Sequence, residues 1–280
     1  MKTSIFTCLF IVLLACACSQ SGTDGSQPLG GDTPLQEGSL RIAVTPTLDC
    51  LPLYVAQHEG WFQDEGLSVQ LVPFTAQMDQ DTAVAGGTVH GLTTDSERMA
   101  WLSSHGTPLQ QVAQTSLSWQ LLTNKAARLT LLSQLDDKMV AMTRYSATDK
   151  LAAHLVDSAG LQPERVFRIQ VNDVLVRLAM LKNGTMDAML LPEPQATEAR
   201  LDGHPVLYKS GTGFGVLAFR QDVMADTARR HQVERLVALV NAATDSIAAR
   251  GLQHYRTLIA SYCGVRPEVV DSISPLTSHH

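Results

Sequence analysis

The chain has 280 residues, 45% hydrophobic and 17% charged, with 27 acidic against 21 basic side chains and a net charge of −6. That balance, without a dense Lys/Arg run, lacks the basic footprint that nucleic-acid phosphates require, so no nucleic-acid partner is expected. Nothing among its five cysteines forms a CxxC or His/Cys cluster with metal-ligand spacing, so neither a metal nor a cofactor is expected.

The first segment sets the compartment. Lys2 and the amino terminus are positive, and Ile5 to Ala15 runs apolar except for Thr7 and Cys8. This stretch is too short for a permanent membrane span and suits a secretory leader. It closes on Leu13-Leu14-Ala15-Cys16, which resembles the lipobox of bacterial lipoproteins. The expectation is a leader over 1–15 and lipidation of Cys16, with Cys18 as the alternative. An ordinary cleaved leader and a buried apolar strand are the competing readings. Residues 16–39, rich in Ser, Gly, Gln, Asp and Pro, cannot bury enough apolar surface to fold and read as a flexible tether. The chain is therefore expected in the cell envelope, lipid-anchored to a membrane and facing the periplasm or exterior.

From Leu40 onward short apolar strands alternate with amphipathic helices, the pattern of an α/β fold with largely parallel sheets. Strands are expected at 40–44, 67–74, 89–93, 112–114 and 119–123, with helices at 52–57, 79–85 and 97–104. The same grammar restarts near Lys125: a short turn or helix at 132–135, strands at 139–142, 166–171 and 188–191, and helices capped near Ser146 and by Asp173. A strand at 216–219 and helices at about 233–250 and 252–261 finish the fold. Cys50 and Cys263 lie in this region. Export permits a disulfide, but spacing supplies no geometry, and two separate thiols are the default expectation.

Three segments carry a family resemblance. Leu53 to Leu67 reads Leu-Tyr-Val-Ala-Gln-His-Glu-Gly-Trp-Phe-Gln-Asp-Glu-Gly-Leu. Asp81 to Asp95 has the spacing of a helix, a glycine turn and a strand ending in Asp, with His90 where the pattern usually carries Asp. Lys182 to Pro194 contains Asn183-Gly184-Thr185-Met186-Asp187-Ala188 and ends in Glu193-Pro194. In this order they resemble the NMT1/ThiY-like, sulfonate- and taurine-binding solute-binding proteins of ABC importers. The resemblance implies a two-lobed type II periplasmic-binding fold with its ligand cleft between the lobes. It divides the chain into lobe one (40–120 and 215–280) and lobe two (125–210), with crossing strands near 119–123 and 213–216 as the hinge. It implies a small-molecule solute, an ABC permease and its ATPase as partners, a monomer, and no catalysis.

Open α/β sheets bind ligands at the carboxyl ends of their strands, which selects the candidate site residues. Thr45, Thr47, Leu48 and Asp49 follow the first strand, unless they form only a connecting loop. Thr94 and Asp95 follow the third; Asp95 suits a helix cap as well as a ligand contact. Ser116 and Trp119 lie at the crossover, where the indole could stack on a ligand or pack in the core. Arg144, Ser146 and Thr148 open a helix whose amino terminus favours an anion. Glu193 is the leading candidate, a carboxylate for a ligand donor. The acidic candidates suit a donor or positive charge, Arg144 an anion, and a zwitterion would reconcile them. An exported ligand sensor is the second functional class. An enzyme on the same fold is the third, although the clustered cysteines of the related pyrimidine synthases and any nucleophile elbow or phosphate loop are missing from the sequence.

Overall fold

Alternation along the strands explains the layers. In Leu40–Val44 (β1), Leu40, Ile42 and Val44 enter one buried cluster while Ala43 enters another. In Ala188–Leu191, Ala188 and Leu190 face one cluster, Met189 and Leu191 a second. Strands covered on both faces need helices above and below, and the chain supplies them. A computed structural model describes residues 38–273; the leader, the tether before Gly38 and the lipidation candidates Cys16 and Cys18 lie outside the described residues.

After β1 come Leu51–His58 (α1), Trp61–Asp64 (α2), Val69–Pro73 (β2), Gln77–Ala85 (α3), Gly91–Asp95 (β3), Ser96–Ser104 (α4), Leu109–Thr115 (β4) and Gln120–Thr123 (β5). The second stretch holds Lys138–Met142 (β6), Ala147–Ser158 (α5), Val166–Gln170 (β7), Val174–Lys182 (α6), Ala188–Leu191 (β8), Gln195–Leu201 (α7) and Val206–Lys209 (β9). The chain ends with Gly215–Arg220 (β10), Gln221–Ala225 (α8), Thr227–Arg250 (α9), Arg256–Cys263 (α10) and Pro267–Asp271 (α11).

Two five-stranded sheets result, in the orders β2-β1-β3-β10-β4 and β7-β6-β8-β5-β9. In each, three strands are parallel and the fourth is antiparallel to both neighbours. That fourth strand is exchanged: β5 follows β4 directly but joins the second sheet, and β10 returns to the first. The fold is mixed α/β with two lobes, and segments 116–119 and 210–214 cross between the sheets. Helices α1, α9, α10 and α11 cover one face of the first sheet, and α3 and α4 the other. On the second sheet α5 covers one face, α6 and α7 the opposite one.

Several element ends differ from the sequence expectation. The strand expected at 89–93 runs from Gly91 to Asp95, because its antiparallel ladder with β10 pairs Gly91 with Phe219 and Asp95 with Gly215. The helix expected from Val233 starts at Thr227, where Asp226 accepts the Arg229 amide. The helix expected at 252–261 is a 3-10 turn at Leu252–Tyr255 followed by α10. Elements α2, α7, β9, α8 and α11 had no expectation at all; β9 is a half-buried edge strand of four residues, too short for its period to register. Cys50 and Cys263 are both buried and both free.

Candidate functional site

The carboxyl ends of the strands converge on a partly open cavity of about 50 Å³ between the sheets. Thr45, Thr47 and Asp49 reach it from the turn after β1, and Thr75, Gln77 and Gln80 from the turn after β2 and the start of α3. Thr93, Thr94 and Asp95 come from the end of β3. Leu117 and Trp119 line it from the first crossing segment. The second sheet contributes Thr143 after β6, Asn172 after β7, Val174 and Arg177 from α6, and Pro192 after β8.

Asp95 is fully engaged. Its Oδ1 accepts the backbone N–H of Arg98 at 2.8 Å, capping α4, and that of Ala147 at 2.8 Å, in the first turn of α5 across the cleft. Its Oδ2 accepts from Gln77 Nε2 at 2.9 Å. Burial raises its proton affinity, and these bonds oppose the rise. Asp49 is different: Oδ2 accepts from Thr115 Oγ1 at 2.9 Å, while the buried Oδ1 has no partner among the described residues. Burial pushes its carboxyl above the ordinary value. Gln80 is fully buried and neither atom of its amide has a partner among the described residues. Trp119 donates its backbone N–H to Ser210 Oγ at 2.8 Å, and its indole N–H has no partner among them either.

Arg177 is the buried cation of this cavity, 2% exposed. Its Nε donates to the Val171 carbonyl at 2.7 Å, one terminal nitrogen to the Leu190 carbonyl at 2.9 Å, the other to Thr143 Oγ1 at 2.5 Å. Burial lowers its proton affinity to about 10, which still leaves it charged at neutral pH. The sequence reading missed Arg177, although it was visible as a charge on the apolar stripe of α6. Val174, Arg177, Leu178 and Leu181 stand at i, i+3, i+4 and i+7, and all four are buried. Gln80 on α3, beside Ala83 and Val84, is the same kind of signal.

The twelve sequence candidates divide three ways. Thr45, Thr47, Asp49, Thr94, Asp95 and Trp119 meet in the cavity. Leu48, Ser116 and Glu193 line a separate crevice of about 10 Å³ beside it, which Asp49 also touches. There Glu193 Oε1 accepts from Gln120 Nε2 at 2.7 Å and Oε2 from the Thr197 amide at 3.0 Å, so the carboxylate steadies the start of α7. Arg144, Ser146 and Thr148 lie outside the cavity. Arg144 is exposed and offers only its carbonyl inward, to Arg98. Ser146 caps α5 by accepting the Thr148 amide, and its hydroxyl also donates to the Thr143 carbonyl.

The lobes meet on both sides of the cavity. Thr75 Oγ1 donates to Asp173 Oδ2 at 2.5 Å, and the Leu48 amide to the Glu193 carbonyl at 2.8 Å. On the α4–α5 side Trp101 stacks on Tyr145 with ring centres 5.3 Å apart, and Arg98 lies over the Trp101 ring at 4.3 Å. Arg98 is itself paired with Asp81.

A family described as NMT1/THI5 like matches residues 47–250 of the chain. Among curated proteins, the bicarbonate transport ATP-binding protein CmpC of Synechocystis is 24% identical over 189 residues, covering 60% of this chain; the chain spans only 28% of that relative. Among solved structures, the alkanesulfonate-binding protein SsuA of Xanthomonas axonopodis, bound to MOPS, superposes with a TM-score of 0.72 at 20% identity, covering 88% of this chain and 89% of that one. The periplasmic nitrate-binding protein NrtA of Synechocystis gives 0.74 at 14% identity, with coverages of 82% and 68%. The aliphatic sulphonate binding protein SsuA of Escherichia coli gives 0.68 at 17%, with coverages of 85% and 82%.

Proposed function

Because the chain belongs to the NMT1/THI5-like family, we propose that it is the extracytoplasmic solute-binding component of an ABC importer, holding a small molecule between its lobes and delivering it to a permease. The observation that carries this reading is the interlobe cavity, walled by strand ends of both sheets and lined by buried side chains with unsatisfied polar atoms. Buried polar atoms without partners are costly in a fold, and a ligand that meets them recovers that cost. The sulfonate, nitrate and bicarbonate named for the relatives support a small solute with a polar head. The leader pattern ending at Cys16 supports export and lipid anchoring, with solute capture as binding rather than turnover.

The test is a thermal-shift screen of the full chain against sulfonates, amino acids, polyamines and thiamine precursors, followed by native mass spectrometry of the complex. The expected result is stabilisation by one solute class, recovered unchanged. Chemical conversion of the bound solute, or no stabilisation by any class, would overturn the proposal. A ligand sensor would bind equally well; vesicles carrying the permease and ATPase separate the two, since only an importer component stimulates uptake.

A further inference from the structure

A sheet edge offers a row of outward backbone groups to any passing strand, and folds ordinarily blunt it with proline, polar side chains or a cover. The four edges here are β2, β4, β7 and β9. β2 closes on Pro73, β4 exposes Gln110, Gln111 and Gln114, and β9 is half-buried. β7 is the exception. Phe167 and Ile169 stand 47% and 37% exposed on it, and Met139, paired with Phe167 from β6, is exposed beside them. With Tyr145, 54% exposed, these are four of the eight large apolar side chains left in the open among the described residues. Apolar surface gathered in one place marks an interaction site; the same residues scattered singly do not. An open groove of about 420 Å³ follows this edge, lined by Tyr145, Phe167, Ile169 and two arginines. Arg168 Nη1 donates to Asp149 Oδ1 at 2.9 Å, and Asp149 Oδ2 accepts the Tyr145 amide at 3.1 Å, so that pair is closed on itself. Arg144 is exposed, and its guanidinium has no partner among the described residues. The groove thus carries one uncompensated positive charge.

We infer that this edge is a docking site for an extended, acidic segment of a partner protein, which pairs with β7 and lengthens the second sheet. Each feature of the occupant answers a feature of the groove. The open edge takes an extended backbone, Phe167, Ile169 and Tyr145 take apolar side chains at alternate positions, and Arg144 takes a carboxylate. A second copy of this chain is a poorer occupant, because pairing β7 with β7 sets a like-charged groove against itself. The chain's own leading segment is poorer still. Residues 16–37 hold acidic side chains, but their only large apolar residues are Leu29 and Leu35, preceded by Pro28 and Pro34, which cannot donate to a strand ladder. That segment also enters the fold on the other lobe, where Arg229 holds the Gly38 carbonyl. The inference goes beyond solute capture: it gives the second lobe a macromolecular partner whatever the solute is.

Fluorescence anisotropy of the full chain with a dye-labelled, acetylated peptide Thr-Val-Glu-Val-Thr-Val tests this. Saturable binding is expected, about fivefold weaker when Lys replaces Glu, the reversal of one exposed charge contact. Two further peptides carry N-methyl groups on one or the other alternate set of amides. Only one set faces β7 in a paired strand, so one version should lose binding and the other keep it. Phe167→Ser is expected to weaken the parent peptide about tenfold, and Arg144→Gln to erase the preference for Glu over Lys. Both side chains are exposed, so the melting temperature should stay at the parent value and show that the fold is intact. No saturable binding, equal affinity for the Glu and Lys peptides, or equal tolerance of both methylation patterns would overturn the inference. So would a dimer in sedimentation velocity that Phe167→Ser dissolves, which assigns the edge to a second copy of the chain.

Discussion

Asp95 makes a sharp test of how the cleft is held together. Its carboxylate accepts three hydrogen bonds, at 2.8, 2.8 and 2.9 Å, from α4, from α5 on the other lobe and from Gln77. Asp95→Ala removes the α4 cap, worth about 1 kcal/mol. It also strands the buried Ala147 amide, at about 1–3 kcal/mol. Relief of the buried carboxylate's desolvation offsets part of this, leaving a net loss of about 2–3 kcal/mol. For a fold of this size that corresponds to a fall in Tm of about 4–12 °C. Asp95→Asn keeps an oxygen for both amides and disturbs only the Gln77 contact, so it should cost about 1 kcal/mol. Differential scanning calorimetry of both variants at neutral pH reads the two values. An unchanged Tm for Asp95→Ala, or equal losses for the two variants, would refute the view that this side chain couples α4 to α5.

Two other expectations follow from contacts outside the cavity. The half-buried His90 accepts the Arg41 amide at its Nδ1, 2.9 Å away, and burial together with Arg41, Arg229 and Arg220 lowers its pKa to about 4 from 6.5. The folded protein thus binds this proton less readily than the unfolded chain, so the stability is present above pH 6.5 and is lost as pH falls from there toward 4. Discounted for solvent screening, the loss is about 1 kcal/mol. In urea titrations at about pH 7 and 4.5, His90→Asn should lose that much less stability than the parent; parallel losses would exonerate His90. Trp101→Ala deletes both the stack on Tyr145 and the Arg98 contact. At about 0.5–1.5 kcal/mol for an aromatic pair, the closed-to-open ratio should fall about twofold to tenfold, enlarging the ligand-free radius of gyration in small-angle scattering. An unchanged radius would make that stack mere surface packing.

Much of the architecture was legible because burial leaves a period. Lys138–Met142 and Ala188–Leu191 read as strands from their apolar runs, and Asp173 and Ser146 read as caps from their place before apolar periodic segments. Element ends were less legible, since the strand begins at Gly91 through its pairing with Phe219, far along the chain. The site was half readable. Residues after β1 and β3 were found because strand ends define the cleft, but the partners from α3 and α6 were not. Gln80 and Arg177 break an apolar stripe, and a broken stripe alone does not say whether the polar group meets a cavity or a neighbouring backbone. Arg144 went astray for a local reason: Tyr145 adopts φ +58°, and the loop presents the Arg144 carbonyl, not its guanidinium, to the opposite lobe. Glu193 lies one residue past Pro192 on the cavity wall, but its carboxylate is consumed by Gln120 and Thr197.

The exchanged strands also impose an order of assembly. The second sheet is complete once Lys209 has emerged, because all its strands lie between Gln120 and that residue. The first sheet waits for β10, which enters between β3 and β4 rather than at an edge. Until Arg220 is available, β3 and β4 each present an unpaired row of backbone groups, a template for association with other chains. A nascent or truncated chain stopping near residue 210 would therefore carry one finished half and one open half, the open half lacking both β10 and the C-terminal helices α8 to α11 that pack on the first sheet.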